Sequence, residues 1–252
     1  MLAVSPTSET YEPITGKNME TLSRIYRGIA AIKDAYLYRI GHYLRGKLVF
    51  PEQTSVDRMI FKKVFQLYAG KSLRVFEWGS GRSTIFYSRY LDSIDSDFEW
   101  HSIDNSRGWK EKVARLVNRY GLNDRAHLYL SEFPAFWELP SWSWEEGKIP
   151  EEVCRPEATE YVEYPKRLAE TKGFDVIIVD GRFRRRCLRV AAEVLAPGGL
   201  VLLHDAQKMH YHSSLDIYPF GHFFDGTKIL GSKVNIKTWL GTFDHNRISD
   251  II

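Results

Sequence analysis

From about residue 72, short apolar segments alternate along the chain with segments of helical period. The apolar segments are rich in Val, Ile, Leu and aromatic residues, as buried parallel strands are. They are LRVFEW, FEWHSI, AHLYL, FDVIIVD and GGLVLLHD. We predict helices over residues 82–92, 108–120, 161–172 and 182–196, the last ending at Ala-Pro-Gly-Gly. This alternation predicts an α/β fold with a doubly wound, mostly parallel Rossmann-like sheet and helices on both faces.

The two ends of the chain depart from this pattern. Residues 1–17 show no period and predict a flexible terminus. Over residues 17–47, apolar positions recur every three or four residues among seven Lys or Arg and two acidic residues, which predicts a basic amphipathic helix. At the other end, TKIL and IKTWLGTF have no clear helix between them and predict an antiparallel C-terminal strand pair.

These patterns divide the chain into an N-terminal extension, residues 1–50, and a Rossmann-like domain, residues 51–252. Two interpretations of the extension stay open. It is either a peripheral contact with an anionic membrane surface, or a helix packed on its own domain or on another subunit of a homo-oligomer.

An insertion over residues 132–163 interrupts the domain between the third and fourth predicted strands. It contains nine acidic residues, two basic residues and several Phe and Trp. A connection of this length in a compact domain is usually functional. It is either a lid whose aromatic side chains cover a ligand or a surface excursion held by its own tryptophans.

Composition narrows the function classes. The chain has 252 residues, of which 44% are hydrophobic, enough for a real core. A formal net charge of +3 is too small to indicate nucleic-acid binding. Two cysteines cannot form a disulfide framework or a thiolate metal site, so a reducing cytoplasm fits best. The sequence contains no run of about 18 apolar residues, so it predicts no membrane-spanning segment.

Polar residues and glycines follow each predicted strand, where an open parallel sheet binds its ligands. In strand order they are Glu77 to Gly81, Asp104 and Asn105, Ser131 and Glu132, Asp180 and Gly181, and His204 and Asp205. We therefore expect a binding site along this edge of the sheet.

The first of these groups favours a nucleoside with a positive charge. Gly79 and Gly81 allow a ligand to approach the main chain, and Asp104 is placed to accept both hydroxyls of a ribose. A dinucleotide fingerprint would have a third small residue where Thr84 stands. Glu77 would repel a pyrophosphate and attract an amine or a sulfonium. These residues favour S-adenosylmethionine over a dinucleotide.

With FEWGSGRST, HSIDN, FDVIIVDG and APGGLVLLHDA in this order, residues 70–205 resemble the class I S-adenosylmethionine-dependent methyltransferases. The resemblance implies that Glu77, Gly79 and Gly81 line the methionine end of the cofactor. It also implies that Ser131 or Glu132 lies near the adenine and that Asp180 faces the methyl group. The full set of predicted cofactor-binding residues is Glu77, Trp78, Gly79, Ser80, Gly81, Ser83, Asp104, Asn105, Ser131, Glu132 and Asp180.

Methyl transfer to an oxygen acceptor requires a base, and we expect His204 or Asp205 in that role, near Asp180. His210 and His212 are alternatives. A sugar or related small hydroxylated metabolite is the expected acceptor. Two other classes stay open: an oxidoreductase with an NAD-type cofactor, and a non-catalytic binding module recruited to a membrane or a partner.

Two further predictions concern a magnesium ion and a cluster of arginines. Related O-methyltransferases hold magnesium through carboxylates at positions matching Asp180 and Asp205, but Ala206 stands where a further ligand would be, so a metal is not favoured. Arginines crowd the start of the following helix at positions 182, 184, 185, 186 and 189. Cations at the start of a helix favour a compensating anion nearby, either an acidic or phosphorylated acceptor or the acidic insertion.

Overall fold

The computed structural model of the chain describes residues 55–133, 156–169, 172–228 and 235–251. All of them belong to one compact unit comprising residues 50–228 and 232–252. The helices are α1 (Ser55–Gln66), α2 (Arg82–Ser93), α3 (Arg107–Arg119), α4 (Pro156–Leu168), α5 (Arg184–Val194) and α6 (His245–Ser249). The strands are β1 (Leu73–Trp78), β2 (Phe98–Asp104), β3 (Ala126–Leu130), β4 (Phe174–Val179), β5 (Leu195–Leu203), β6 (Phe220–Lys228) and β7 (Asn235–Thr242).

The strands form one seven-stranded sheet in the order β3-β2-β1-β4-β5-β7-β6. The first five are parallel, and β7 is antiparallel to both β5 and β6. The chain builds outward from β1 to β3 and then crosses to β4 on the other side of β1, which places the topological switch point between β1 and β4. The predicted doubly wound sheet and its antiparallel C-terminal pair are confirmed.

Apolar side chains bury both faces of the sheet. On one face, residues such as Val75 and Trp100 pack against α1, α2 and α3. On the other face, Phe76, Trp78 and Ile177 pack against α4 and α5. Because successive strand residues point to opposite faces, a strand buried on both sides must be apolar nearly throughout. This is why the apolar segments of the sequence identify the central strands so directly.

Several element boundaries differ from their predictions. Helix α5 ends at Val194, and the Ala-Pro-Gly-Gly segment lies within β5, where the register with β4 shifts after Leu195. Helix α4 begins at Pro156, so the predicted insertion ends in regular helix. Strand β6 begins at Phe220, ahead of the predicted TKIL segment.

Helix α1 is absent from the predicted helices, although its sequence contains the signal. Ile60, Phe61, Val64 and Phe65 are buried at helical spacing, and Phe61 stacks on Tyr87 of α2 with ring centroids 4.3 Å apart. A hydrophobic stripe of this kind predicts an amphipathic helix covering the sheet.

Two predicted features lie outside the described residues: the basic helix over 17–47 and most of the aromatic and acidic insertion. Both stay predictions. Among the described residues, no helix has the length and apolar character needed to cross a membrane.

Candidate cofactor and acceptor site

Two glycines bring the loops after β1 and β4 into main-chain contact at the switch point. Trp78 and Val179 are neighbours in register, and Asp180 N donates to Trp78 O at 3.0 Å. Gly79 has a φ of +94°, and a Cβ built on it would lie 2.7 Å from the Cα of Gly181. Neither loop can therefore tolerate a side chain here, and the main chain stays bare on the side where parallel sheets bind ligands.

Glu77 supports this bend from beneath. Its carboxylate is completely buried and accepts hydrogen bonds from four protein donors. These are Ser83 Oγ, Thr84 Oγ1 at 2.5 Å, Trp100 Nε1 at 3.0 Å and Ser102 Oγ at 3.0 Å. Thr84 Oγ1 also accepts from Gly81 N at 2.8 Å. Glu77 thus ties β1 to the first turn of α2 and fixes the shape of the glycine loop.

The same burial makes Glu77 sensitive to pH. Desolvation raises the pKa of Glu77 to about 7, although the four hydrogen bonds oppose the shift. Since this value exceeds the ordinary 4.5, the unfolded chain loses the proton first as pH rises. The free energy of unfolding therefore falls progressively as the pH rises from about 4.5 to 7. Above about pH 7 the destabilisation by Glu77 is complete.

We expect Glu77→Gln to remove this pH dependence while keeping the loop intact, because a neutral amide can accept from Trp100 and donate to Ser83. Between pH 5 and 8, the free energy of unfolding of the native protein should fall by about 3 kcal/mol more than that of the variant. Urea unfolding at both pH values measures the difference. Glu132→Gln, an exposed carboxylate, is the control. Parallel pH profiles for all three proteins would contradict the expectation.

Asp104 ends β2 beside the glycine loop. Its Oδ1 accepts from Ser106 N at 2.8 Å, and Ser80 Oγ donates to Oδ2 at 3.3 Å. Burial raises the pKa of this carboxyl. Trp109 of α3 lies over Gly81 and donates from Nε1 to Ser80 O at 2.5 Å. The structure thus brings Asp104 and the glycine loop together, with Trp109 as a neighbour that the sequence analysis does not identify.

The remaining predicted cofactor residues surround this loop. Ser131 N donates to Asp104 O at 3.0 Å, so the loop after β3 is fixed to the end of β2. Glu132 extends outward and pairs with Arg107 at 2.7 Å. Trp78 is buried under the loop, where its Nε1 donates to Tyr161 O at 3.0 Å. Asn105 is half-buried at the turn after β2.

A second group forms at the ends of β4 and β5. Asp180, His204 and Asp205 lie together there, as their strand-end positions predict. His204 Nδ1 lies 3.1 Å from Asp180 Oδ1 and 3.8 Å from Asp205 Oδ1. Asp205 has a φ of +57°, a left-handed conformation that is uncommon for a non-glycine residue and recurs at functional sites.

Neighbouring basic side chains favour the charged form of both carboxylates. Partial burial disfavours ionisation of Asp180, but His204 and Arg184 outweigh it and lower its pKa to about 2. The pKa of Asp205 is lowered in the same way, against its own burial, by His204, Arg184 and Lys208. Lys208 Nζ lies 3.0 Å from Asp205 Oδ2.

Asp180 and Asp205 do not fit a divalent metal site. The guanidinium of Arg184 lies between them, with Nη2 3.0 Å from Asp180 Oδ1 and Nη1 3.6 Å from Asp205 Oδ2. Within the described ranges, no group of three or more His, Cys, Asp or Glu could hold a metal ion. For Arg184 itself, the compensating anions are therefore the carboxylates of Asp180 and Asp205 at the strand ends.

The alternative histidines lie on a 3₁₀ turn, Met209–Ser214. His212 Nε2 lies 2.8 Å from the main-chain oxygen of Ala206, so one of its nitrogens serves the local fold. His210 packs its ring on Tyr211 with centroids 4.1 Å apart. His204 therefore has the more suitable surroundings for proton transfer.

Two residues of the site are not among the predicted site residues: Tyr161, and Arg184 as a buried partner of the strand-end carboxylates. Tyr161 of α4 is fully buried, and its hydroxyl accepts from Arg182 N at 3.2 Å beside Gly181. Its position depends on how α4 packs on the sheet, which has no local signal. Arg184 is one of five nearby arginines in the sequence, and only the structure separates it from the others as buried.

The sheet order and the helices on both faces define a Rossmann-like α/β protein. The glycine loops at the switch point, the acidic end of β2 and the charged group after β4 and β5 form a candidate ligand site at the carboxyl edge of its sheet. Comparison with known proteins narrows this class. The sequence model of a family described as "Methyltransferase domain" matches residues 76–206, slightly more than half of the chain. The chain belongs to this family, which confirms the resemblance to the class I S-adenosylmethionine-dependent methyltransferases. A search of curated proteins finds no match.

Solved structures show the same fold at low identity. The O-methyltransferase from Bacillus cereus, in complex with SAH, is 13% identical, with 84% of this chain and 90% of that chain covered and a TM-score of 0.53. TomG from Streptomyces achromogenes, an O-methyltransferase of tomaymycin synthesis in complex with SAM, is 16% identical, with 85% and 90% covered and a TM-score of 0.51. Spermidine synthase from Thermotoga maritima is 13% identical, with 81% and 65% covered and a TM-score of 0.51. Because one fold hosts several reactions, the acceptor must be argued from the site.

Proposed function

We propose that the protein is an S-adenosylmethionine-dependent O-methyltransferase that acts on a small hydroxylated acceptor, such as a sugar or related metabolite. The observation that supports this most is the pairing of two sites on one sheet edge. The bare loop of Gly79 and Gly181, next to Asp104, would take the cofactor. His204, with Asp180 and Asp205, would face the acceptor.

In the proposed cofactor site, the residues after each strand bind a different part of S-adenosylmethionine. Asp104 accepts hydrogen bonds from the ribose, and the main chain of Gly79 to Gly81 approaches the methionine end. Ser131, whose main chain is bonded to Asp104, or the neighbouring Glu132 lies near the adenine. Glu77 acts from beneath by holding the loop in shape. The two O-methyltransferases above, which contain SAM or SAH, support this choice of cofactor.

The acceptor half assigns His204 as the base. When bound, S-adenosylmethionine supplies an electrophilic methyl group on positive sulfur and leaves as its neutral thioether. His204 presents Nδ1 to Asp180, which orients the ring and stabilises the imidazolium formed when Nε2 takes the proton of the acceptor hydroxyl. Asp205 is the alternative base.

Calorimetry with S-adenosylmethionine and S-adenosylhomocysteine tests the cofactor half. We expect micromolar binding to the native protein and a loss of about 1–3 kcal/mol in Asp104→Ala, about 5- to 150-fold, because charge-assisted hydrogen bonds to the ribose are removed. Asp97→Ala is the matched control, an exposed carboxylate just before the other end of the same strand.

The same titrations separate the other function classes. Unchanged affinity in Asp104→Ala would remove this residue from the site. Tighter binding of NAD than of S-adenosylmethionine would make the protein a nucleotide-dependent oxidoreductase. Binding of neither nucleoside would favour a non-catalytic binding module.

A further inference from the structure

Arg184 is surrounded by oxygen atoms from both strand ends of the acceptor site. Nε donates to Gly181 O at 3.0 Å, Nη1 to His204 O at 2.5 Å and Nη2 to Asp180 O at 2.8 Å. The carboxylates of Asp180 and Asp205 add two further oxygens at 3.0 and 3.6 Å. Five oxygens from two loops therefore converge on one guanidinium.

The position of Arg184 in its helix makes this arrangement costly without the carboxylates. Arg184 is the first residue of α5, where the helix dipole disfavours a cation. Its side chain is only 10% exposed, so solvent compensates little of the charge. The ring of Tyr211 covers the guanidinium on one side, 5.5 Å away. A buried charge in this place must be paired, and Asp180 and Asp205 do so.

The oxygen shell has the composition that hard divalent cations prefer: two carboxylates and main-chain carbonyls. The guanidinium fills that shell with a cation belonging to the chain itself. It also ties Gly181 after β4 to His204 at the end of β5. Phe183, directly before Arg184, and Asp205, directly after His204, both have left-handed backbone conformations with φ of +53° and +57°. Such conformations persist only where surrounding contacts hold them.

We propose that Arg184 takes the place of a divalent cation at the acceptor site. As a positioning residue, it pairs with both Asp180 and Asp205, holds the main chain of His204 in place and excludes a metal ion from this edge of the sheet. The inference rests on the proposed function only in naming the acceptor site. Its test is cation binding, which does not depend on methyl transfer.

Titration with Mn²⁺ alone, followed by electron paramagnetic resonance, tests the proposal. We expect the native protein to show no bound Mn²⁺ that depends on Asp205. Arg184→Ala, which empties the oxygen shell, should gain one saturable site, and the added change Asp205→Asn should remove it. Arg189→Ala, an exposed arginine on the same helix, is the matched control and should behave like the native protein.

Two results would overturn the proposal: an Mn²⁺ site in the native protein that Asp205→Asn abolishes, or a folded Arg184→Ala that gains none. If Arg184→Ala does not fold, Arg184→Lys decides the positioning role. A single ammonium keeps the charge but cannot reach all five oxygens, so hydrogen exchange in peptides covering residues 203–208 should quicken about tenfold or more. Exchange equal to that of the native protein would contradict that role.

Calorimetry on the same samples separates this proposal from the proposed function. If the native protein binds S-adenosylmethionine and also binds Mn²⁺ through Asp205, only the role of Arg184 is overturned. If the native protein binds neither, only the methyltransferase assignment is overturned.

Discussion

Gly79→Ala should lower the free energy of unfolding by about 2–5 kcal/mol and abolish S-adenosylmethionine binding. A φ of +94° is unfavourable for a residue with a Cβ, at about 1–2 kcal/mol. The new Cβ would also lie 2.7 Å from main-chain atoms of Gly181, and crowding of this kind costs about 1–3 kcal/mol more. Urea unfolding and calorimetry measure the two effects.

Gly121→Ala is the control for backbone conformation alone. Gly121 has a φ of +67°, but nothing lies within 4 Å of the position of its Cβ. This variant should lose only about 1 kcal/mol and bind the cofactor normally. Equal losses in the two variants would show that the contact between the β1 and β4 loops contributes nothing.

His204→Ala should reduce the rate of methyl transfer by about 10²- to 10⁴-fold, the usual contribution of a positioned base. The affinity for S-adenosylmethionine should stay within about twofold of the native value, because the proposed function places His204 on the acceptor side. The measurement is transfer of a radiolabelled methyl group to a panel of hydroxylated acceptors. His245→Ala, an exposed histidine on α6, is the control.

The pH profile identifies the base further. Asp180 has its pKa lowered to about 2 and stays charged throughout the assay range, so a loss of rate toward acid pH reports on another group. If His204→Ala leaves the rate unchanged and Asp205→Asn lowers it, Asp205 is the base. If neither variant slows transfer, the acceptor half of the proposed function is wrong.

The sequence predicts the strands of the sheet best where both faces of the strand are buried. LRVFEW matches β1 residue for residue because every position but Arg74 is buried. The position of the Ala-Pro-Gly-Gly segment was predicted wrongly. Proline and glycine usually follow the end of a helix and lie outside strands, whereas this segment forms an irregular part of β5. Helix α1 is not among the predicted helices, although its apolar residues recur at helical spacing.

The candidate site was predicted in its positions but not in its contacts. Strand-end residues could be located because parallel strands place their carboxyl ends on one edge. Which face a side chain occupies, and what lies across from it, depends on register and helix packing. Thr84 illustrates this: the sequence shows only that it breaks a dinucleotide fingerprint, while the structure shows it bonded to Glu77 and Gly81. The same holds for Arg184 among its neighbouring arginines.

The position of β7 between β5 and β6 has a consequence for synthesis of the protein. Residues 239–241 pair with Val201 to Leu203, so an interior strand of the sheet is synthesised after β6, the edge strand that lies outside it. Until then β5 presents an apolar, unpaired edge of the kind that invites pairing with other chains. Nascent chains stalled before β7 should therefore depend on chaperones, even though the elements up to β5 are already complete.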